Sequence, residues 1–363
     1  MNILFDGQVF VHQRTGGVSR YFANLLSGLN DVPDCTARVL APLHRNEHLR
    51  LGNRRHVYGI PIPSVWDGAA LCWYALRGLS PALSRMLPAD IVHETYFSPR
   101  PFVISRSPRV TTMYDMIHEI TEPGHFTTAH KRATLARCDH VVCISDNTRK
   151  DLCEIFDFPP ERTTTVHLGY QDFSGSIAAG RPAELQGAPY FLYVGQRAGY
   201  KNFAGLVRAF AAAPGLAREF RILCFGGGPL TQDERGLAAG LGLGDHHIQQ
   251  SGGSDAMLGA AYAHAVALVY PSLYEGFGLP PLEAMSAGCP VLCSNTSSLP
   301  EVVGDAALMF DPKSVEAIRD AMARVAQSAE LRRDLAERGH RRRRLFTWQR
   351  CTAETLDVYR RLN

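Results

Sequence analysis

The sequence predicts an α/β protein made of two doubly wound parallel sheets, one after the other along the chain. Short apolar segments alternate with helix-like segments nearly throughout, which is the pattern of βαβ units around parallel sheets. The alternation stops once, at residues 171–189, in a stretch rich in Gly, Ala, Ser and Pro, and then resumes. The length of 363 residues is sufficient for two domains that each bury a core.

The first half of the chain, residues 1–170, is predicted to be the N-terminal domain. Helices fit between its strands, for example at residues 18–29, directly after "TGG", and at residues 129–137. The six predicted strands are "MNILFDG", "TARVLAP", "DIVHETY", "RVTTMYD", "HVVCIS" and the closing segment "RTTTVHLGY".

Residues 190–345 are predicted to be the C-terminal domain, and residues 171–189 the linker. Each strand of this half is followed by a helix, and no fixed-period repeat is visible. The six predicted strands are "YFLYVG", "FRILCFGGG", "HHIQQSG", "VALVYPS", "PVLCSN" and "AALMF". Doubly wound sheets bind ligands at the carboxyl ends of their strands. Two such domains joined by one linker leave a cleft between them.

Composition narrows the class of protein. Hydrophobic residues make up 45% of the chain and charged residues 20%, as in soluble globular enzymes. The net charge of +3 is too small to indicate nucleic acid as the main partner. No apolar run reaches the ~18 residues that a membrane-spanning helix needs, and the N-terminus begins as a strand. We therefore expect a cytoplasmic protein.

Nine cysteines are scattered along the chain without any C-x-x-C spacing. This distribution predicts small buried side chains in a reducing compartment and gives no support to a zinc site. The C-terminal end is rich in arginine, with ten arginines against five acids from Glu330 onward. A solvated helix face and a peripheral contact with an anionic membrane surface are both compatible with this run.

The segment "YVGQRAGYKNF" places two cations after a predicted strand. Arg197 and Lys201 lie in the loop, and Asn202 stands where a helix N-cap belongs. Two permanent cations beside the positive end of a helix suit a multiply charged anion such as a diphosphate. Two surface cations in a polar loop explain the same spacing equally well.

Glycines follow two other predicted strands. Gly16 and Gly17 precede a helix, where bare backbone N–H groups can approach a phosphate. "CFGGGP", which contains Gly226, could let a flat base approach the backbone, and a tight turn is an equal alternative. Neither G-x-x-x-x-G-K-[ST] nor G-x-G-x-x-G occurs in the chain, so a dehydrogenase is disfavoured.

Two glutamates flank a turn rich in glycine and proline in "PSLYEGFGLPPLEAM". Glu275 lies at the mouth of the loop, and Glu283 is predicted to lie in the first turn of the helix that Pro280 or Pro281 begins. Carboxylates accept hydrogen bonds from sugar hydroxyls, and free backbone amides donate to hydroxyls and phosphates. A sugar joined to a phosphate therefore suits this loop. Favourable placement at the helix dipole would explain Glu283 alone.

With these motifs in view, the chain resembles the retaining GT-B glycosyltransferases, known as glycosyltransferase family 4 or glycosyl transferases group 1. The resemblance covers nearly the entire chain and is strongest to bacterial mannosyltransferases that build O-antigens, capsules and exopolysaccharides. It rests on the E-x₇-E spacing in "EGFGLPPLEAMSAGCPV" and on "GGVSRY", "CISDNTRKDL", "VGQRAGYKNF", "LPEVVGDAALMFDP" and "FTWQRCTAETLDVYR".

The resemblance implies the GT-B fold, two Rossmann-like domains that face each other across a cleft, with residues 346–363 as a helix that returns to the N-terminal domain. It implies that Arg197 and Lys201 bind the donor diphosphate as leaving group, Glu275 contacts the sugar hydroxyls and Glu283 binds the ribose. The remaining donor-binding candidates are Gly16, Gly17, Tyr114, Gly226, Gly253 and the backbone of Phe277, Gly278 and Leu279.

The sequence departs from the family at one position. The family commonly has a histidine after the strand that here reads "RVTTMYDMIHE", and this chain has Tyr114 there. Asp115 and His118 are therefore the candidates for contacting the sugar or the acceptor hydroxyl. A structural polar pair is the alternative role for these two residues.

Retention without an enzymatic nucleophile or a metal is what the family implies, and the chain contains no Asp-x-Asp. The implied donor is GDP-mannose or a similar GDP-sugar, with UDP-sugars as the runner-up. The implied acceptor is a lipid-linked saccharide, which would bind around residues 44–78 unless that stretch is a loop plus a buried helix. An NDP-forming synthase or phosphorylase acting on a soluble sugar, and a non-catalytic sugar-nucleotide-binding module, stay open as alternatives.

Overall fold

A computed structural model describes residues 1–52, 54–63, 68–176, 180, 182, 187–197 and 199–363. The chain divides into two compact units. One comprises Met1–Gly169 together with Thr347–Asn363, and the other is Tyr170–Phe346. The two runs of alternating strands and helices predicted from the sequence thus correspond to two separately packed units.

The first unit is built on a seven-stranded parallel sheet. Its strand order is β3-β2-β1-β4-β5-β6-β7. The strands are β1 (Asn2–Asp6), β2 (Thr36–His44), β3 (Val57–Pro61), β4 (Ile91–Glu94), β5 (Arg109–Met113), β6 (His140–Cys143) and β7 (Thr163–Thr165). The helices are α1 (Gln8–His12), α2 (Gly17–Asn30), α3 (Glu47–Leu51), α4 (Ala69–Leu83), α5 (Ile117–Thr121), α6 (Phe126–Leu135) and α7 (Asp146–Phe156).

The edge strand β3 was not predicted from the sequence. Its five residues include Gly59 and Pro61, which are both poor strand formers. Gly59 is required here because a Cβ at this position would lie 1.6 Å from the carbonyl oxygen of Ala41 in β2. An edge strand tolerates proline, since one side of its backbone has no partner strand.

The second unit is built on a six-stranded parallel sheet of order β10-β9-β8-β11-β12-β13. All six strands occur where the sequence predicts them. They are β8 (Tyr190–Val194), β9 (Arg221–Phe225), β10 (Ile248–Ser251), β11 (Ala267–Tyr270), β12 (Val291–Ser294) and β13 (Ala307–Phe310). The helices are α8 (Phe203–Ala211), α9 (Pro214–Glu219), α10 (Gln232–Gly240), α11 (Asp255–His264), α12 (Leu279–Ser286), α13 (Leu299–Val303), α14 (Val315–Gln327) and α15 (Ala329–Arg342).

Each sheet has a point at which the direction of strand succession reverses. In the first sheet this point lies between β1 and β4, and in the second between β8 and β11. The loops that follow two such strands diverge to opposite faces of the sheet, which leaves a crevice at the carboxyl edge where ligands bind. The segments after β8 and β11 are those that contain Lys201 and Glu275.

The last helix, α16 (Trp348–Leu362), belongs to the first unit. It packs on α2, where a Cβ at Gly28 would lie 2.4 Å from the Thr352 hydroxyl oxygen. Tyr359 reaches the sheet, and its hydroxyl lies 2.5 Å from Nδ1 of the buried His93. The helix that the resemblance implied for residues 346–363 therefore packs on the first unit, which also contains β1.

The predicted linker, residues 171–189, is described in part. Residues 177–179, 181 and 183–186 lie outside the described residues. The segment before them is packed on the second unit, because the Phe173 ring is buried against Tyr262 and its backbone N–H donates to Ser286 Oγ at 2.8 Å. The second unit therefore begins at Tyr170, earlier than the predicted start at residue 190.

Candidate functional site

Lys201 and Glu275 meet at the switch point of the second sheet. Lys201 ends a short 3-10 turn, Gly199–Lys201, after β8, and Glu275 follows β11. Lys201 Nζ donates to Glu275 Oε1 at 2.6 Å and to the Tyr270 hydroxyl at 3.1 Å. The side chains are 15% and 9% exposed, so the pair is largely desolvated and strongly coupled. Burial and the Glu275 carboxylate raise the pKa of Tyr270 well above its usual value.

Arg197 is fully engaged within the second unit. Nε donates to Glu234 Oε1 at 2.8 Å, and the two Nη atoms donate to backbone carbonyls of residues 226–229 at 2.9–3.3 Å. Its side chain is 3% exposed. The sequence predicted a cation directed at a diphosphate, but here the guanidinium holds the glycine-rich segment after β9. Its contact with diphosphate stays a prediction.

Glycine is required in this segment by the backbone. Gly226, Gly227 and Gly228 have φ of 84°, 71° and 73°, which point three successive peptide groups so that their carbonyls converge on Arg197. Gly253, which follows β10, has φ of 142°, and a Cβ there would meet the Met257 sulfur at 2.4 Å. The tight-turn interpretation of "GGGP" is therefore the one that the geometry supports.

The loop that carries Glu275 is held by two serines that sequence reasoning missed. Ser297 Oγ accepts from the Glu275 N–H at 2.9 Å. The buried Ser298 hydroxyl lies 2.9 Å from the Glu275 carbonyl and 2.8 Å from the Phe277 carbonyl. Both serines follow β12, the strand next to β11, so their position directly after a predicted neighbouring strand was the available signal.

The backbone after Glu275 turns at Gly278, whose φ of 118° permits the turn, and a Cβ there would lie 2.8 Å from Leu299. Phe277 is buried and packs edge-on against Phe346, with ring centroids 5.7 Å apart. Leu279 is the first residue of α12, so its N–H is one that the helix leaves without an intrahelical partner. The contact of these three backbone amides with a ligand stays a prediction.

The predicted position of Glu283 in the first turn of its helix was wrong. Because Gly278 adopts the left-handed conformation as N-cap, α12 begins at Leu279 and the two prolines follow as second and third residues. Glu283 is therefore the fifth residue, and α12 has no acidic residue in its first turn. The carboxylate is buried and accepts from the Tyr262 hydroxyl at 3.1 Å, so helix-dipole placement does not explain it.

Asn202 occupies the N-cap position of α8 without capping it through its side chain. Its φ of 53° directs the amide away from the helix, and Nδ2 donates to the carbonyls of Pro271 and Pro312 at 3.1 and 2.7 Å. The Leu273 N–H donates to the Tyr200 carbonyl at 2.7 Å. These bonds tie the loop after β8 to the loop after β11, which fixes Lys201 beside Glu275.

In the first unit, Gly16 and Gly17 lie at the N-terminus of α2. Gly17 is the first helical residue, and a Cβ there would meet nothing within 4 Å, so its surroundings are open. Gln13 Oε1 accepts from the Ser19 N–H at 2.9 Å, so one of the first-turn N–H groups that lack an intrahelical partner is already bonded. The position remains accessible to an anion at the first-turn amides.

Tyr114, which replaces the family histidine, is buried and donates to the Thr95 carbonyl at 2.8 Å. Burial and neighbouring tyrosines raise its pKa well above the usual value, so it is a neutral donor. Asp115 Oδ1 accepts from the Ile117 N–H at 3.1 Å, and the Asp115 carbonyl accepts from the buried Lys131 at 2.7 Å. Lys131 in turn pairs with Glu119 at 2.7 Å.

His118 has partners of its own and does not form the suggested polar pair with Asp115. Its Nδ1 lies 3.2 Å from Glu122 Oε2, and its ring stacks on His125 with centroids 3.9 Å apart. The ligand atoms of His118, Glu122 and His125 lie within 4.8 Å of one another, close enough to hold a metal ion. Nδ1 of His125 already accepts from the Thr127 N–H at 3.3 Å, which leaves Nε2 as the remaining ring nitrogen for a metal.

Asp6 closes the switch point of the first sheet. Its Oδ1 accepts from the N–H and hydroxyl of Thr95, which follows β4, and its Oδ2 accepts from Gln8 Nε2 at 2.6 Å. Complete burial, aided by the Glu94 carboxylate, raises the pKa of Asp6 to about 6. This carboxyl group therefore joins the carboxyl ends of β1 and β4.

The fold and these motifs identify a glycosyltransferase of the GT-B class. The family described as Glycosyltransferase Family 4 matches residues 15–171, and the one described as Glycosyl transferases group 1 matches residues 180–342. Together with a relative that is 32% identical over 306 residues, these matches show that the chain belongs to this glycosyltransferase family. The predicted family and fold class are confirmed.

That relative is "O-antigen chain mannosyltransferase B" of Escherichia coli, and the alignment covers 79% of this chain and 80% of the relative. "Serotype-specific mannosyltransferase WbdA" of the same organism is 29% identical over 245 residues, which are 64% of this chain and 30% of that longer protein. Both are proteins that this chain is similar to.

Solved structures agree on the fold. A sucrose-phosphate synthase from Thermosynechococcus elongatus superposes with a TM-score of 0.77 at 19% identity, covering 99% of this chain and 98% of that one. WaaG, a glycosyltransferase involved in lipopolysaccharide biosynthesis, superposes with a TM-score of 0.74 at 19% identity over 98% and 99% of the two chains. Across the part of the chain that is described, no helix has both the length and the apolar character needed to cross a membrane.

Proposed function

We propose that this glycosyltransferase moves a hexosyl group, mannosyl or closely related, from a GDP-sugar to a saccharide acceptor during assembly of a bacterial surface polysaccharide, with retention of anomeric configuration. The observation that carries the proposal is the Lys201–Glu275 pair at the switch point of the second sheet. It puts a cation and a hydroxyl-binding carboxylate side by side, as a sugar diphosphate requires. The names of the two Escherichia coli relatives support the sugar and the pathway.

Lys201 is assigned to the diphosphate. In the structure its charge is balanced by Glu275, and a bound diphosphate would compete with that carboxylate for Nζ. As the glycosidic C–O bond breaks, negative charge accumulates on the leaving diphosphate, and a nearby cation stabilises this state more than the ground state. The acceptor hydroxyl attacks from the face that the diphosphate leaves, and a leaving phosphate oxygen takes its proton.

Glu275 and Glu283 are assigned to the hydroxyls of the donor. Glu275 Oε2 is not used by Lys201, which bonds Oε1, so it can accept from a sugar hydroxyl. Glu283, which lies on α12, is buried beside Tyr262 and would accept a hydrogen bond from a ribose hydroxyl. The amides of Phe277, Gly278 and Leu279 would donate to the sugar or to phosphate oxygens.

Arg197 is assigned an indirect role, which differs from the sequence prediction. Its guanidinium donates a hydrogen bond from Nε to Glu234 and four further hydrogen bonds to the carbonyls of residues 226–229. Releasing it to bind diphosphate would leave Glu234 and these carbonyls without their donor. We therefore treat Arg197 as a positioning residue for the segment after β9.

Transfer without a metal is part of the proposal. The chain lacks Asp-x-Asp, and Lys201 supplies the positive charge that a metal would otherwise bring to the diphosphate. The cluster of His118, Glu122 and His125 is one place where a metal effect would originate. Transfer rates that are unchanged by EDTA are expected, and a loss that Mn²⁺ or Mg²⁺ restores would contradict this part.

The acceptor is proposed to be a lipid-linked saccharide that binds the first unit, with Asp115 and His118 near the acceptor hydroxyl. A peripheral contact with the inner face of the membrane, in the cytoplasm, goes with such an acceptor. The arginine run at residues 341–344 contributes little to that contact. Arg342 donates to the Val302 carbonyl, Arg343 pairs with Tyr170 and Asp172, and Arg344 lies 3.0 Å from His340 Nε2, so three of the four arginines are engaged within the second unit.

The experiment is a donor panel. GDP-mannose, UDP-glucose, ADP-glucose and dTDP-glucose are screened by thermal shift, because a ligand that binds only the folded state raises its stability. GDP-mannose is expected to give the largest shift, and the anomeric configuration of the transferred sugar, read by NMR, is expected to be that of the donor. A larger shift with a UDP-sugar would replace the donor, and an inverted product would refute the mechanism.

A further inference from the structure

The switch point of the first sheet opens onto an aromatic wall with a cavity. Trp73 of α4 packs on His12, which ends the helix after β1, with ring centroids 5.0 Å apart. It packs equally on Phe102, beyond β4, at 5.1 Å. One indole therefore touches both segments that diverge from the switch point, where doubly wound sheets bind ligands.

Beside Trp73 lies a cavity of about 500 Å³ between α4 and residues 98–102. Arg77, one helical turn after Trp73, and Arg100 of the opposite wall both line it. Neither guanidinium forms a hydrogen bond or an ion pair with any described residue, and no acidic side chain is among the described residues that line the cavity. Two permanent cations that have no partner among the described residues, in one concave space, attract an anion with more than one oxygen, such as a phosphate or diphosphate.

The two walls of this cavity are fixed to each other. The Ile104 N–H donates to Ser84 Oγ, at the end of α4, at 3.0 Å, and Ser84 Oγ donates to the Pro81 carbonyl at 3.1 Å. Arg100 is held from behind, because the Ser98 hydroxyl donates to its carbonyl at 2.8 Å.

Ser98 is itself fixed by a buried ion pair. Arg137 donates to the Ser98 carbonyl at 3.0 Å while it pairs with Glu94 Oε2 at 2.6 Å. The site is therefore built before any ligand arrives, which lowers the entropy cost of binding.

The outer face of α4 is apolar. Tyr74 is 71% exposed and Met86, just beyond the helix, is 79% exposed, and the exposed apolar set also includes Leu71, Leu79 and Leu83. Within α4 itself, residues 69–83, the only charged side chain is the basic Arg77. The buried helix that was the alternative for this stretch is therefore buried on one face only, at Cys72, Leu76 and Ser80. A helix with an exposed apolar face and only basic charges suits an anionic amphiphile.

We propose that this cavity binds the phosphate or diphosphate of a lipid-linked saccharide acceptor, with Arg77 and Arg100 on the phosphate oxygens, Trp73 on the adjoining sugar and the outer face of α4 on the lipid chain. The inference rests on the proposed function and deepens it, because it names the chemical group by which the acceptor is recognised. It makes α4 the element that selects lipid-linked over free saccharides.

Binding is tested by calorimetric titration of farnesyl diphosphate, at concentrations at which it is monomeric, into the full chain. Saturating GDP, or the nucleoside diphosphate of whichever donor the panel selects, occupies the donor site throughout. The double variant Arg77→Gln/Arg100→Gln is compared with Arg85→Gln/Arg106→Gln, a matched loss of two exposed arginines outside the cavity. The first pair is expected to weaken binding by about tenfold or more, and the second by less than about twofold.

Inorganic pyrophosphate and farnesol separate the sources of affinity. Both are expected to bind more weakly than farnesyl diphosphate, because pyrophosphate retains only the contact with the two arginines and farnesol only the contact with the apolar face of α4. Equal weakening by the two double variants would overturn the site, and pyrophosphate or farnesol binding as tightly as farnesyl diphosphate would overturn its lipid-linked ligand. GDP titrated alone keeps the two proposals distinguishable, since a wild-type chain that binds no nucleotide fails the proposed function and leaves the farnesyl diphosphate result to stand or fall separately.

Discussion

Lys201 is central to the proposed donor site, because the other candidate cation, Arg197, is held by Glu234 and by the carbonyls of residues 226–229. Its Nζ is shared between Glu275 and Tyr270 at 2.6 and 3.1 Å. A side chain that already has two acceptors in a largely buried place is oriented before the ligand binds.

Lys201→Met is expected to slow turnover by a factor of about 10²–10³, similar to the loss of one donor to a developing oxyanion. The unpaired Glu275 carboxylate left behind also repels the diphosphate, so donor affinity should fall as well. Initial rates with the selected donor give both effects. Glu275→Gln tests the reverse loss, and near-wild-type turnover in both variants would remove the pair from the mechanism.

Arg197 and Glu234 give a second prediction at this scale. Arg197→Lys and Glu234→Gln should each lower Tm and raise KM for the donor, since both release the segment of residues 226–229. The two losses should be non-additive, with a coupling of about 1–3 kcal/mol in the unfolding free energy, because the side chains are in direct contact. If Arg197→Lys instead slowed turnover as strongly as Lys201→Met while its Tm stayed unchanged, Arg197 would be a direct diphosphate ligand.

Asp6 gives a prediction about pH. Its pKa in the folded chain, about 6, lies above the ordinary 3.8, so the folded state binds this proton more tightly than the unfolded state. The corresponding stability is complete below about pH 4 and is lost as the pH rises through 6, by on the order of 3 kcal/mol.

Asp6→Asn removes this dependence. Its unfolding free energy should fall less between pH 4.5 and 7 than that of the wild type, as measured by urea denaturation. The new amide can donate to Gln8 if that side chain turns its oxygen toward it, since this oxygen has no hydrogen-bond partner among the described residues, although the turn gives up the Nε2 bond to the Tyr96 carbonyl. Parallel curves for the two proteins would show that Asp6 does not titrate in this range.

At the scale of elements, the loop after β11 is set by the segment after β12. Thr296 Oγ1 donates to the Leu273 carbonyl at 3.1 Å, and Ser297 and Ser298 hold the backbone at Glu275 and Phe277. Three consecutive side chains from one strand end thus fix the loop at the end of its neighbour. This bracing explains how a glycine-rich loop keeps Glu275 in one position.

Ser298→Ala should raise the donor Kd by about fivefold to tenfold and lower stability by about 1 kcal/mol, because two loop carbonyls lose their buried donor. Ser294→Ala is the matched control. Ser294 is equally buried at the end of β12, and its hydroxyl makes a longer bond, 3.4 Å, to the Tyr270 carbonyl. Equal donor affinities in the two variants would mean that the brace does not act on the site.

The elements were largely predictable from the sequence, and the contacts between loops were not. The predicted segments included every strand except β3, whose Gly59 and Pro61 are poor strand formers, and most of these segments were short apolar runs. The start of α12 was misplaced because proline usually marks the first helical position, and here Gly278 moved the start one residue earlier. Local patterns cannot show such a left-handed N-cap.

The candidate site was predictable in its residue types and less so in its pairings. Lys201 and Glu275 lie 74 positions apart and meet because β8 and β11 are neighbours, which follows from the strand order and not from the spacing. The engagement of Arg197 by Glu234, 37 positions away, was missed for the same reason. Loop-to-loop hydrogen bonds depend on side-chain directions that a linear pattern does not contain.

At the scale of the whole molecule, both units contain a doubly wound parallel sheet, but different side chains lie at the two switch points. The first sheet ends in Asp6, aromatic rings and the arginines beside Trp73, and the second ends in Lys201, Glu275 and a braced glycine-rich loop. We therefore assign the nucleotide sugar to the second unit and the saccharide acceptor to the first.

The most direct test is an experimental structure of the full chain with GDP-mannose, or the donor that the panel selects, bound. We expect a diphosphate oxygen about 2.7–2.9 Å from Lys201 Nζ and a sugar hydroxyl on Glu275, with Arg197 still bonded to Glu234. A donor bound at the switch point of the first sheet, or at the second without contact to Lys201 and Glu275, would contradict it.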